Sequence, residues 1–169
     1  GPGVPASGLL TRTRQGIIVM VYVDYSTVKI GWDDEAGEPV ENIRADVWSI
    51  RSPDKGETWV DRQKIFDGYC GALINLLETR SGKIVVPIPV LLRGPGRHEV
   101  RTYVSADRGQ TWKGSNIIDL GGRGHHGGAD EGTVVELENG RLLMLLRTNW
   151  DQFWEAFSDD DGLSWRTLR

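Results

Sequence analysis

Two imidazoles and a carboxylate stand within six positions of one glycine-rich stretch, Gly121-Gly122-Arg123-Gly124-His125-His126-Gly127-Gly128-Ala129-Asp130. His125, His126 and Asp130 could hold a metal ion or hydrogen-bond the hydroxyls of a sugar. Side chains of adjacent residues tend to point apart, which counts against a metal. No metal and no other cofactor is expected. No helix follows the stretch, so it lacks the positive helix end that favours phosphate. Trp32, Trp150 and Trp154 offer aromatic faces for a sugar ring, and equally for core or interface packing. Tyr69, ahead of an inner strand, is the tyrosine placed nearest a central site. Its neighbour Cys70 lacks a recognisable catalytic partner motif.

The elements that must position these residues come from a repeated octapeptide. Ser52-Pro53-Asp54-Lys55-Gly56-Glu57-Thr58-Trp59, Ser105-Ala106-Asp107-Arg108-Gly109-Gln110-Thr111-Trp112 and Ser158-Asp159-Asp160-Asp161-Gly162-Leu163-Ser164-Trp165 all fit S-x-D-x-G-x-[ST]-W. Their first residues stand at 52, 105 and 158, so both intervals are 53 residues. Self-similarity at about this period marks a repeat architecture such as propeller blades. Serine and aspartate lock a turn through backbone donors, and glycine supplies the positive φ. The closing tryptophan is expected to bury its face beneath that turn. These twelve box residues are read as structural: Ser52, Asp54, Gly56, Trp59, Ser105, Asp107, Gly109, Trp112, Ser158, Asp160, Gly162 and Trp165.

Each repeat reads as four strands, giving an all-β chain of three four-stranded antiparallel blades. The units fall at about 8–66, 71–118 and 131–169 of one domain, 1–169. Ile17–Val23 is a continuous apolar, β-branched run, as in a strand covered on both faces. Residues 26–42 form an insertion. Pro87 and Pro89 lie inside a predicted strand and remove ladder donors, so that segment is expected to be distorted or weakly paired. Asn139-Gly140 is a strong hairpin signal.

Bulk composition is compatible with a globular chain: 38% hydrophobic and 26% charged residues, with a net charge of -4. Acidic and basic residues are interspersed, so neither nucleic acid nor a membrane surface is an expected partner. No apolar run approaches the roughly 18 residues of a membrane span, and the first residues do not read as a signal peptide. Gly1-Pro2 resembles the remnant of a removed tag. Cys70 is the single cysteine, which excludes an internal disulfide. Three blades do not close a propeller, which typically has about 4–8. Their open end faces call for cover. A two-fold homodimer would close a ring of six.

The boxes resemble the Asp-box, or bacterial neuraminidase repeat, and the chain is similar to half of a sialidase-type six-bladed β-propeller. A second match runs from Glu131 to Arg147, resembling the sialidase segment in which a glutamate opens an inner strand and an arginine closes its hairpin neighbour. The resemblance implies a glycoside hydrolase, or its remnant, acting on sialic acid or another terminal acidic sugar. Arg147 would then be one of three arginines gripping the sugar carboxylate, and Glu131 the partner that polarises a tyrosine nucleophile. Asp33, Asp34, Glu41 and Asp46 are candidates for the acid/base aspartate or its position. Tyr69 is a further catalytic candidate; His125, His126, Asp130 and Trp150 are candidates for substrate contact. Gly3 stands where the family's first arginine is expected, and the third arginine and the nucleophilic tyrosine belong to blades beyond these three. The catalytic set is therefore incomplete, and a non-catalytic carbohydrate-binding or purely structural half-propeller is the alternative.

Overall fold

Apolar β-branched runs punctuated by glycine and Asx turns produce strands throughout. A computed structural model describes residues 5–168 apart from 151. Gly3 lies outside the described residues. The first sheet pairs β1 (Pro5–Arg12) with β2 (Ile18–Asp24). A 3-10 turn at Tyr25–Thr27 and a small hairpin, β3 (Trp32–Asp33) and β4 (Glu38–Pro39), occupy the insertion. β5 (Val47–Ser52) and β6 (Val60–Phe66) complete the sheet in the order β1-β2-β5-β6. The second sheet runs β7 (Leu77–Glu78), β8 (Ile84–Leu92), β9 (Arg97–Ser105) and β10 (Lys113–Gly114). The third runs β11 (Ala129–Glu136), β12 (Leu142–Thr148), β13 (Trp154–Ser158) and β14 (Arg166–Leu168). All three four-stranded sheets are antiparallel, and no α-helix occurs among the described residues.

The core lies in two layers between sheets. Val21, Val23, Val47, Val86 and Ile88 fill the space between the first and second sheets. Val85, Val100, Val134, Met144 and Leu146 fill that between the second and third. Only the middle sheet is covered on both faces, so Ile84–Pro89 is buried without alternation, whereas β12 alternates buried with partly or fully exposed positions. β2 fits its reading as a doubly covered strand only in its second half. Val19, Val21 and Val23 pack inward; on the other side Ile18 and Met20 are half-buried, while Tyr22 and Asp24 are buried and bonded by Arg62.

The prolines in β8 cause no break in the ladder to β9, where Pro87 pairs with Thr102 and Pro89 with Val100. The Pro89 carbonyl accepts from the Gly71 N–H on the opposite edge, so the missing proline donors face away from β9. That opposite edge is the weakly paired one, because β7 meets β8 over two residues only.

The three octapeptides form the same turn. The serine hydroxyl accepts from the glycine N–H at 2.7, 2.7 and 2.8 Å and donates to the aspartate at 2.8 Å in each copy. The aspartate also accepts the backbone N–H and hydroxyl of Thr58, Thr111 or Ser164. Lys55, Arg108 and Asp161 adopt φ of 64°, 62° and 60°, held there by this network. The tryptophans only partly meet the expectation that each buries beneath its own turn. Trp165 is buried and bonds to the Gly162 carbonyl of its own turn, but Trp112 and Trp165 also reach back to the preceding sheet, donating to Ser49 Oγ at 3.0 Å and Thr102 Oγ1 at 2.8 Å. Trp59 has no preceding sheet within this chain and is exposed.

Candidate functional site

The site is built on a β-bulge. Ala129 pairs with Thr148 and Gly132 with Leu146, so Asp130 and Glu131 together oppose the single residue Arg147. Regular alternation would send two adjacent side chains to opposite faces; the extra residue of a bulge re-aims one of them. Arg147 Nη1 consequently donates to Asp130 Oδ2 at 2.7 Å and lies 3.3 Å from Glu131 Oε2. Asp130 is buried, Glu131 partly so, and the Arg147 side chain is half exposed. Its Nε and Nη2 make no hydrogen bond among the described residues.

Asp130 also faces two histidines. His98 Nδ1 is 3.3 Å from Asp130 Oδ1, and His126 Nδ1 is 3.7 Å from Oδ2. The glycine-rich loop makes this meeting possible. The His98 N–H donates to the Gly127 carbonyl at 2.7 Å, and Gly128 lies so close to β9 that a Cβ would collide with the His98 carbonyl oxygen. Gly128 has φ +88°, a conformation that side chains rarely adopt. The expectation that His125 and His126 point apart is corrected: their ring nitrogens are 3.0 Å apart, because they sit in a tight turn rather than an extended strand. His125 packs edge-on against Trp32 of the insertion, with ring centroids 5.2 Å apart.

Tyr69 is half-buried in a cleft of about 100 Å³ shared with Val23, Ala45, Cys70 and Gly71. Burial, then the neighbouring Cys70 and Asp130, raises the Tyr69 phenol above its ordinary range. That holds it neutral, the reverse of an activated nucleophile. Burial also pushes the Cys70 thiol far up, leaving it protonated and unreactive. Trp150 lines a cleft of about 300 Å³ with Arg147, Thr148, Gln152 and Phe153. Its ring packs against Trp154 at 5.7 Å between centroids.

The acid/base candidates lie elsewhere. Asp33 caps the turn of its own hairpin, accepting from the N–H groups of Glu35 and Ala36 at 3.0 and 2.9 Å. Asp34 and Glu41 are exposed, with Glu41 3.9 Å from Arg93. Asp46 is fully buried; burial alone would raise its carboxyl, but bonds from Lys64 and Arg44 hold it below the usual range. An ionised, doubly paired carboxylate is poorly suited to donate a proton.

Two residues escaped the sequence reading. His98 had no local motif; its signal was the hairpin turn before it, at Gly94-Pro95-Gly96, directed to the same end as the glycine-rich loop. Glu99, its neighbour, is buried on the opposite face of β9, and burial raises its carboxyl despite Arg101 and Arg97 nearby.

Three meandering antiparallel sheets, each turned by one copy of the octapeptide and stacked through two shared core layers, define a sialidase-like propeller-type fold. The chain belongs to the family of BNR repeat-like domains, whose model matches residues 6–169. No curated protein matches it in sequence. Among solved structures it is similar to a protein of unknown function from Dyadobacter fermentans, at 19% identity and a TM-score of 0.67, over 94% of this chain and 48% of that one. It is similar to the NanB sialidase from Streptococcus pneumoniae at 13% identity and a TM-score of 0.61, over 97% of this chain and 39% of that one. An α-L-arabinofuranosidase from Fusarium graminearum aligns at 14% identity and a TM-score of 0.63, over 97% and 48%. The chain thus spans half or less of the length of each of these structures.

Proposed function

We propose that this chain is the arginine-bearing half of a sialidase-type glycoside hydrolase propeller, or of a binding protein descended from one. Arg147 receives the carboxylate of a terminal acidic sugar. The observation that carries this reading is the one-sided use of its guanidinium. Asp130 and Glu131 both engage Nη1, leaving Nη2 and Nε without a hydrogen bond among the described residues, and Arg147 lines the cleft that holds Trp150. A planar guanidinium with two donors to spare is suited to bidentate capture of a carboxylate. Glu131 fixes the fork and stands at the inner-strand mouth, where it would polarise a tyrosine supplied from another blade.

The ring is completed by a second copy of the chain. Exposed apolar residues in and beside the third sheet include Val135, Leu145 and Phe153, and in and beside the first sheet Leu10, Trp59 and Val60. Glu155 stands three residues before its box serine, as Ser49 and Thr102 do, and its carboxylate accepts no hydrogen bond among the described residues. Trp59 of one copy would meet Glu155 of the other. Light scattering on an eluting peak tests this: twice 18.8 kDa is expected, and a stable monomer would overturn it.

Release of a fluorophore from a sialoside tests the reaction, and sialoside binding tests the site. Turnover abolished in Arg147→Ala supports the hydrolase. Binding without turnover, lost in the same variant, supports the non-catalytic form favoured by the firmly ionised Asp46 and the neutral Tyr69. Binding unchanged in Arg147→Ala would overturn both.

A further inference from the structure

We infer that His98, His126 and Asp130 form a binding site for one divalent transition-metal cation of the zinc class. The reasoning starts at the His98 ring. Its Nε2 lies 2.7 Å from the carbonyl oxygen of His125, which only accepts, so Nε2 carries the proton. In the neutral ring Nδ1 is then a lone pair. That nitrogen is buried, has no hydrogen-bond partner, and stands 3.3 Å from Asp130 Oδ1.

A lone pair facing a carboxylate oxygen is repulsive unless a positive charge joins them. A second ring proton would join only His98 to Asp130 and leave the His126 Nδ1 that faces the same carboxylate unaccounted for. A metal cation satisfies both lone pairs at once. A separation of 3.3 Å is close to the roughly 3.4 Å edge of a tetrahedron with ligands about 2.1 Å from zinc.

His126 supplies the third donor. One ligand atom from each of the three residues lies within 4.8 Å of the others. His126 Nδ1 faces Asp130 Oδ2 at 3.7 Å, while its Nε2 is taken up by His125 at 3.0 Å. The outer partners are those a metal-bound histidine and carboxylate require: a backbone carbonyl on His98 Nε2 and the Arg147 guanidinium on Asp130 Oδ2. Two imidazoles and one carboxylate suit zinc, copper or nickel better than magnesium or calcium. The His126 side chain is 57% exposed, so a cation can enter from solvent and retain an open coordination position.

The site shares Asp130 with Arg147 but is assayed without sugar, so its failure is distinct from failure of the acidic-sugar reading. Calorimetric titration of zinc ions into the chelator-stripped 169-residue chain at neutral pH is the test. One zinc per chain is expected, bound roughly tenfold or more weakly in His126→Ala and in Asp130→Asn. His126 is exposed, so its alanine variant should keep the metal-free melting temperature of the wild type. Cobalt(II) should give visible bands of a low-coordinate centre that disappear with the same substitution. Lack of saturable one-to-one binding below roughly 100 μM, or equal affinity in His126→Ala, would overturn the proposal.

Discussion

Trp165 donates its indole N–H to Thr102 Oγ1 across the boundary between the third and second sheets, at 2.8 Å. Fifty-three residues earlier, Trp112 makes the corresponding bond to Ser49 on the first sheet. The closing tryptophans of the second and third boxes are therefore inter-sheet bolts. Their glycines pack with them: Gly162 approaches Val85 and Gly109 approaches Val19, while Gly56 meets nothing.

The three tryptophans should consequently differ in their worth to the fold. Trp165→Ala removes a ring that is only 5% exposed together with its bonds to Thr102 and Gly162, and should cost about 3–5 kcal/mol. Trp112→Ala, at a half-buried ring, should cost less. Trp59→Ala should change the stability of a single chain by about 0.5 kcal/mol or less, as an exposed substitution does. Denaturant midpoints for the three variants check the order. In a closed dimer the Trp59 variant would show itself as loss of the dimer instead.

Acid should loosen the turns before the sheets. In Asp54, the hydroxyl and N–H of Thr58 hold the carboxyl below its ordinary range. In Asp107 and Asp160, burial pushes upward but is outweighed by the bonds from Thr111 and Ser164. A carboxyl with a depressed folded value adds stability at pH above its unfolded value, near 4, and loses it as pH falls through the folded value. The contribution of the three turn aspartates should be level from neutrality to about pH 5 and drop below about pH 4. Asp107→Asn should be less stable at neutral pH and show a shallower acid limb, measured by thermal unfolding across that range.

The single thiol reports on opening of the first core layer. Cys70 is 1% exposed and its pKa is pushed up by burial, so both access and thiolate formation are suppressed in the native state. Modification by a maleimide should be slow in the folded protein and accelerate steeply across the denaturant transition. Rapid native labelling would mean that Tyr69-Cys70-Gly71 opens locally.

The octapeptides made the strand order legible because a serine, aspartate and glycine turn is closed by its own side chains. The pairing of Arg147 with Glu131 was legible because both lie on one hairpin. Inclusion of Asp130 was not, since it depends on a bulge that places two residues of β11 against one of β12. His98 was hidden for a longer-range reason: it meets Asp130 only because Gly127 and Gly128 let a loop press against the start of β9. The exposure of Trp59 could not be read from a box identical in pattern to the other two. Its fate depends on what stands before the first sheet.

Gly128 should be the most sensitive of the loop glycines. Alanine there would have to hold φ near +88° and fit a Cβ against the His98 carbonyl, which belongs to the stiff β9 backbone. Gly140 provides the comparison, with φ +84° and open space around it. Gly140→Ala should cost about 1 kcal/mol from backbone conformation alone. Gly128→Ala should cost more, roughly 2–4 kcal/mol, because the loop must lift from β9. Lifting would also part His126 from Asp130 while leaving Asp130 paired with Arg147. The histidine proton resonances of His98 and His126 should then shift in Gly128→Ala and stay in place in Gly140→Ala. Equal melting temperatures for the two variants would mean that loop and strand are not held together as the 2.7 Å bond from His98 to Gly127 requires.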